Sequence, residues 1–211
     1  MIVNEIFHSI QGESTRAGLP CTFVRLTGCH LRCVYCDTAY AFHEGSSMTV
    51  QDVERAVADL GCRFVTVTGG EPLLQEEVYS LMSRLAAAGY DLQVETSGAV
   101  DVSRVDQRVR VILDVKTPGS GMLAAMDWDN LTRLKPGDEV KFVLMGREDY
   151  EWTRDILRSR PMPERVAVLL SPAHGVLDPA DLAEWMRADG LSARLQLQIH
   201  KYIWGPDRRG V

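Results

Sequence analysis

The sequence predicts an α/β fold with a mainly parallel sheet, and three observations carry that prediction. Short apolar stretches rich in Val, Leu, Ile and Phe alternate with amphipathic stretches of helical period. No internal repeat or low-complexity linker interrupts the alternation over 211 residues, a length that suits one domain, residues 1–211. Glycines and polar residues recur at the carboxyl ends of the apolar stretches, where parallel α/β folds collect their chemistry.

Strands are expected at residues 3–7, 22–26, 63–68, 92–95, 109–115, 139–145, 165–170 and 195–199. Between them, residues 49–60 place Val53, Val57 and Leu60 on one helical face, with Thr49 as N-cap. Residues 76–88 stop at Gly89, a helix-ending signal. Residues 147–160 precede Pro161, and residues 179–188 begin with Pro179 after Asp178 and end before Gly190. Strand alternating with helix means βαβ units. The connection from Thr96 to Val109 is too short for a long helix, so one layer is trimmed.

Composition narrows the function. A net charge of −6 argues against broad electrostatic binding to nucleic acid or an anionic membrane. No apolar run approaches ~20 residues, and the start shows no signal peptide, so a cytoplasmic, reducing location is expected. There, five cysteines suit metal or redox chemistry better than a disulfide framework. Cys21 and Cys62 read as small apolar residues.

The other three lie in GCHLRCVYCDTAY, residues 28–40, just after the second strand. A zinc site would usually show four ligands, often in two pairs; here the triplet has no partner pair, although His30, His43 or distant His174 could supply a fourth ligand. Three thiolates, Cys29, Cys33 and Cys36, suit a 4Fe-4S cluster that takes four cysteines when fully ligated, leaving one iron open.

C-x3-C-x2-C followed by GGEP at residues 69–72 resembles the signature of radical S-adenosylmethionine enzymes. The resemblance implies a cluster on Cys29, Cys33 and Cys36 and S-adenosylmethionine on the open iron, cleaved to a 5′-deoxyadenosyl radical. It further implies Tyr35 against the adenine, Asp37 nearby, Gly70 and Glu71 at the methionyl amino group, and Ser97 and Lys116 at the ribose and carboxylate. Taken alone, GGEP is equally a strand-to-helix turn.

Three further stretches, EIFHSIQGES (residues 5–14), CDT (36–38) and QIHKYIWGPDRRGV (198–211), together resemble the 7-carboxy-7-deazaguanine synthase family. That resemblance implies ring contraction of 6-carboxy-5,6,7,8-tetrahydropterin with release of ammonia, in queuosine and deazapurine biosynthesis. It implies Mg2+ bound through Thr38, a homodimer, an electron donor such as flavodoxin, and a shortened, partial TIM-like (βα) barrel with short N-terminal and C-terminal substrate-binding extensions. Ile10 and Thr68 join the implied substrate contacts.

The residues suit such a substrate. Gln11 offers donor and acceptor, ionised Glu13 accepts from a ring NH and amino group, and an extended backbone around Gly12 would aim both side chains one way. Arg25, inside an apolar strand, is a candidate bidentate clamp for the carboxylate, or else a structural ion-pair partner. His200 reads as a pterin contact or a satisfied core histidine. Asp37-Thr38 alone would read as a helix cap. Five residues follow Pro206, and whether they close the site is not decided by sequence. The rival readings are an activase acting on a glycyl-radical protein and a small zinc- or cluster-binding module.

Overall fold

The computed structural model describes residues 1–160 and 162–211. Its nine strands form one sheet: β1 (Ile2–Ile10), β2 (Pro20–Leu26), β3 (Ser46–Ser47), β4 (Phe64–Gly69), β5 (Asp91–Thr96), β6 (Arg110–Val115), β7 (Glu139–Leu144), β8 (Ala167–Pro172) and β9 (Arg194–Leu195). Their order is β3-β1-β2-β4-β5-β6-β7-β8-β9. From β2 onward every neighbour is parallel, while β1 pairs antiparallel with both β2 and β3. The sheet is therefore open: the expected partial barrel with a hairpin at one edge.

The main helices are α1 (Val50–Asp59), α2 (Glu77–Ala87), α3 (Asn130–Arg133), α4 (Arg147–Ser159), α5 (Pro179–Asp189) and α6 (Ile199–Trp204). Thr49 caps α1 in a reciprocal box with Asp52, and Asp178 caps α5 through Ala180 N. The Thr49 cap and the start of α5 at Pro179 were legible in the sequence. Pro161, the expected stop after α4, lies outside the described residues. No helix among the described residues is long and apolar enough to cross a membrane.

Between β5 and β6 the trimmed layer is real. No helix forms there; instead the Asn130 amide donates to Gly98 O and Val100 O, and its carbonyl accepts from Val102 N. A single buried side chain thus satisfies the backbone groups that a helix would have satisfied internally.

Alternation along the strands separates two faces. Val65 and Val67, Leu92 and Val94, Val111 and Leu113, Val140 and Phe142 enter the main core with Val53, Val57, Leu81 and Leu85 of the helices. The intervening Thr66, Thr68, Gln93, Glu95, Ile112, Asp114, Glu139 and Lys141 face the barrel interior. The β1–β2 loop fills that interior. Gln11 Nε2 reaches Thr66 Oγ1 at 3.0 Å, Thr15 N reaches Glu139 Oε2 at 3.0 Å, and Arg16 pairs with Asp91 while its guanidinium lies 4.3 Å over the Phe64 ring. A loop from the amino terminus thus plugs an incomplete barrel.

One strand was misread. Leu195, Leu197 and Ile199 alternate as a strand would, but pairing with β8 ends at Leu195, followed by one last bond from Gln196 N to Leu170 O. The chain then turns across the barrel mouth, and Ile199 opens α6. His200 accordingly sits in the first turn of a short helix, not at a strand end.

Candidate active site

A cavity of about 680 Å³ opens at the carboxyl ends of the parallel strands. Ile10, Gln11, Gly12, Glu13, Arg25, Cys29, Cys33, Tyr35, Cys36, Asp37, Thr38, Thr68, Gly70, Ser97, Lys116 and His200 all line it. Glu71 does not.

The cysteine loop leaves β2 and is held from three sides. Gly28 N donates to Ala41 O at 2.8 Å, Glu71 N to Gly28 O at 2.8 Å, and Val34 N to Ser120 O at 3.1 Å. Gly70 must be glycine, because a Cβ there would stand 2.2 Å from Gly28 O and 2.8 Å from Cys29 Cβ. The GGEP loop therefore sits directly against the cysteine loop. Cys29, Cys33 and Cys36 are free thiols and all border the cavity. Burial raises Cys29 and Cys33 above the usual thiol value, while Lys116 pulls both down. Among the described residues no group of three His, Cys, Asp or Glu stands preassembled as a metal site. Three thiols on one cavity wall nevertheless match, in kind and number, the donors of a cluster with one open iron.

Glu71 acts from behind. It is fully buried, and its carboxylate accepts from Leu73 N at 3.0 Å, Thr96 Oγ1 at 2.9 Å and Ser97 N at 2.7 Å, with the Ser97 hydroxyl as a further donor. No lone pair is left to face the cavity. Its place is to tie the end of β5 to the glycine loop.

A chain of alternating charge crosses the cavity floor. Glu13 Oε2 lies 2.7 Å from Lys141 Nζ, Lys141 lies 3.4 Å from Asp114 Oδ2, and Asp114 Oδ2 lies 3.1 Å from Lys116 Nζ. Asp114 and Lys141 are register partners on β6 and β7. Burial would raise the Glu13 carboxyl, but Lys141, His200 and Gln198 together bring it down to about 2. Burial likewise opposes the charge on Lys141, yet Glu13, Asp114 and Glu95 hold its pKa well above the usual amine value. Burial raises Glu95, which receives Thr68 Oγ1 at 3.2 Å and Gln11 Nε2 at 3.3 Å.

The expected parallel aim of Gln11 and Glu13 does not occur. Gln11 N donates to Leu19 O and Gly18 N to Gln11 O, so the hairpin continues past Ile10. Gln11 is thereby directed inward to Thr66 and Glu95, and its carbonyl accepts from Glu13 N. Glu13 turns instead toward Lys141 and toward Gln198 Nε2 at 2.8 Å.

α6 closes this side. Ile199 N donates to Gly12 O at 3.0 Å, and a Cβ on Gly12 would stand 1.9 Å from His200 Nδ1. Burial lowers the His200 pKa, with Glu13 and Asp37 pushing back, which favours a neutral imidazole near neutral pH. Lys201 Nζ lies 2.6 Å from Asp37 Oδ2. Thr38 precedes the 3-10 turn Ala39–Phe42 but its side chain makes no capping hydrogen bond; among the described residues its hydroxyl meets only Asp37 Oδ1, at 3.1 Å. These two oxygen-bearing side chains at the rim are of the type Mg2+ takes. The tail residues Pro206 to Val211 also line the cavity, so the segment beyond Pro206 folds over the site.

Lys141, Glu95, Asp114 and Gln198 were not singled out from sequence. For Asp114 and Lys141 the signal was present: a charged residue on the inward period of a largely apolar strand, as in RVILDV and EVKFVL, repeats the Arg25 pattern.

Similarity to known proteins agrees with this geometry. The model of the radical SAM superfamily matches residues 23–159. The chain is 44% identical to 7-carboxy-7-deazaguanine synthase of Koribacter versatilis, covering 100% of both chains. It is 43% identical to that of Chlorobaculum tepidum, covering 99% of this chain and 96% of the other. The crystal structure of QueE from Escherichia coli superimposes with a TM-score of 0.77 at 24% identity, over 93% of this chain and 92% of that one, which supports the fold. Streptococcus suis SuiB, solved bound to S-adenosylmethionine, shares the fold more distantly, with a TM-score of 0.53 at 13% identity over 83% of this chain and 48% of that one. By its cysteine-walled cavity and by these full-length matches, the chain belongs to the 7-carboxy-7-deazaguanine synthase family of the radical SAM superfamily.

Proposed function

We propose that this protein is a 7-carboxy-7-deazaguanine synthase, converting 6-carboxy-5,6,7,8-tetrahydropterin to 7-carboxy-7-deazaguanine with release of ammonia, in queuosine and related deazapurine biosynthesis. The observation that carries the proposal is one cavity lined by both three free cysteines and the Glu13–Lys141 pair. Cys29, Cys33 and Cys36 would hold the 4Fe-4S cluster, and Tyr35, Asp37, Gly70, Ser97 and Lys116 would border S-adenosylmethionine. When bound, cluster and cofactor supply a 5′-deoxyadenosyl radical that takes hydrogen from the substrate.

The chain's own residues bind and orient. Ionised Glu13, fixed by Lys141 and Gln198, accepts from the pterin amino and ring NH groups. Thr68, Glu95 and Gln11 form a second polar wall beside it, with Ile10 lining the same cavity. Arg25, with its Nε already taken by Glu5, turns its terminal nitrogens to the substrate carboxylate. Thr38, with Asp37 beside it, would bind Mg2+, and neutral His200 packs over the ring. Holding the substrate between these groups presents one carbon to the radical, an orientation role that leaves no side chain to act as a strong acid or base. Glu71 supports the cofactor through Ser97 and the glycine loop.

We infer further that the residues before β2 and after Gln196 are substrate-binding extensions of one core domain, that the chain works as a cytoplasmic homodimer, and that a flavodoxin-type protein donates the electron. The deciding experiment is anaerobic turnover. The cluster is reconstituted; reductant, S-adenosylmethionine, Mg2+ and the tetrahydropterin are added; and products are read by mass spectrometry. Product at the mass of 7-carboxy-7-deazaguanine, lost in Cys29→Ala, Cys33→Ala and Cys36→Ala, is expected. A brown protein that cleaves the cofactor yet leaves the pterin unchanged would sink the substrate.

A further inference from the structure

Arg25 is the cationic side chain assigned above to the substrate carboxylate, and its orientation is set by a bracket with no other role in the site. Glu5 Oε1 accepts from Arg25 Nε at 2.7 Å and from Tyr40 Oη at 2.9 Å. Both members of the ion pair are mostly buried, Arg25 at 15% exposure and Glu5 at 20%. Among the described residues no side chain takes the terminal nitrogens of Arg25, which lines the cavity with its guanidinium carbon 5.9 Å from the Phe7 ring centre and 6.0 Å from that of Tyr40. The other side of the bracket comes from the tail. The Arg209 guanidinium carbon lies 3.8 Å from the Tyr40 ring centre, and Arg209 Nη1 lies 2.9 Å from Glu44 Oε2.

A guanidinium has two ways to meet a carboxylate with a pair of parallel N–H bonds: through its two terminal nitrogens, or through Nε and one of them. Occupying Nε removes the second and leaves the terminal fork. Carboxylate recognition at a terminal fork depends on where the planar group points, and here that direction is fixed by Glu5. Glu5 is in turn fixed by Tyr40, whose ring is held under Arg209.

We propose that Glu5 is a positioning residue that selects the terminal fork of Arg25 for the substrate carboxylate, with Tyr40 and Arg209 completing the bracket. Discrimination between a carboxylated and an uncarboxylated pterin then depends on the tail beyond Pro206. This rests on the reading of Arg25 given under Proposed function and goes beyond it to Glu5, Tyr40 and Arg209, which that reading leaves without a role.

The test uses two stable oxidised probes, 6-carboxypterin and pterin without the carboxylate, titrated calorimetrically into the reconstituted protein with S-adenosylmethionine and Mg2+. The readout is the dissociation constant for pterin divided by that for 6-carboxypterin, so a larger ratio means stronger recognition of the carboxylate, with circular dichroism and iron content checking each variant. Glu5→Ala is expected to lower the ratio roughly tenfold, the order set by loss of one charge-assisted bond. Glu5→Gln, whose amide oxygen still accepts from Nε and Tyr40, is expected to keep it within about threefold. Tyr40→Phe and Arg209→Ala are expected to lower the ratio several-fold, weakening 6-carboxypterin more than the uncarboxylated probe.

A competing-charge role for Glu5 predicts the opposite sign, since both Glu5 variants would then raise the ratio, and that result overturns the proposal. So does a Tyr40→Phe ratio equal to wild type, or a loss shared equally by both probes. An unchanged ratio in Arg209→Ala alone overturns the part assigned to the tail. Arg25→Ala separates the layers: a ratio that survives it removes the underlying reading of Arg25, whereas a ratio that collapses there but not in Glu5→Ala removes only the bracket.

Discussion

Lys141 Nζ lies 2.7 Å from Glu13 Oε2, joining the centre of β7 to the loop after β1 across 128 residues of chain. Neither group is exposed enough for water to replace its partner: Lys141 is 10% and Glu13 14% accessible at the side chain. Breaking such a pair leaves a buried charge unmatched, which costs about 3–5 kcal/mol. Lys141→Met is therefore expected to lower unfolding free energy by about that amount, and Glu13→Gln by less, because Asp114 still faces Lys141. The double variant should recover about 1–3 kcal/mol relative to the sum of the singles. Urea unfolding of all four proteins checks it; additivity within about 0.5 kcal/mol would show the contact to be energetically idle.

The same pair gives a pH dependence with a definite sign. Glu13 ionises at about 2 in the folded protein against an ordinary value of 4.5, so the unfolded chain holds its proton more tightly. Its contribution is complete above about pH 4.5, fades as the pH falls through that value, and is gone below about 2. The depression corresponds to about 3 kcal/mol at neutral pH. The stability difference between wild type and Glu13→Gln should narrow steadily from about pH 5 to pH 3. A difference that stays constant over that range would mean that Glu13 is not held ionised by its neighbours.

Much of this architecture was legible because it rests on local physics. The cap at Thr49, the helix start at Pro179, the cysteine triplet and the glycine loop each announce themselves within a few residues. What escaped depends on residues far apart in sequence. Gln11 turns inward because Thr66 and Glu95 await it, and Glu71 serves Ser97 instead of the cavity. The misread strand at residues 195–199 shows the same limit. Its alternation is genuine, but β8 offers partners only to Arg194 and Leu195 plus one bond to Gln196, and docking on Gly12 then draws the chain into α6.

That docking is testable at Gly12. An alanine Cβ would overlap the His200 ring at 1.9 Å from Nδ1, and the nearest atoms belong to a side chain on the short α6, outside the main core. Gly12→Ala should therefore displace residues 198–211 and leave the sheet intact. Amide exchange is expected to quicken at Ile199, whose N–H donates to Gly12 O, with no change in β4 to β7. Pterin affinity should fall at least tenfold, because Gln198 loses its hold on Glu13. Unchanged protection at Ile199 would show that the helix absorbs the methyl by a side-chain shift.

Glu71 provides the sharpest separation between support and contact. Every donor around its carboxylate is a fixed N–H or a hydroxyl: Leu73 N, Ser97 N, Thr96 Oγ1 and Ser97 Oγ. In Glu71→Gln one oxygen becomes an NH2 group, which must face either Leu73 N or Ser97 N, donor against donor. A buried mismatch of this kind costs about 1–3 kcal/mol and is relieved by moving the end of β5 away from the glycine loop. Ser97 would move with it. The expected outcome is a lower melting temperature together with weaker binding of S-adenosylmethionine, while the cysteine loop, anchored through Gly28 and Val34, keeps its iron. Direct side-chain contact with the cofactor predicts a different pattern, in which affinity falls and melting temperature does not. Thermal unfolding of the cofactor-free protein and calorimetric titration with S-adenosylmethionine, run on the same preparation, distinguish the two.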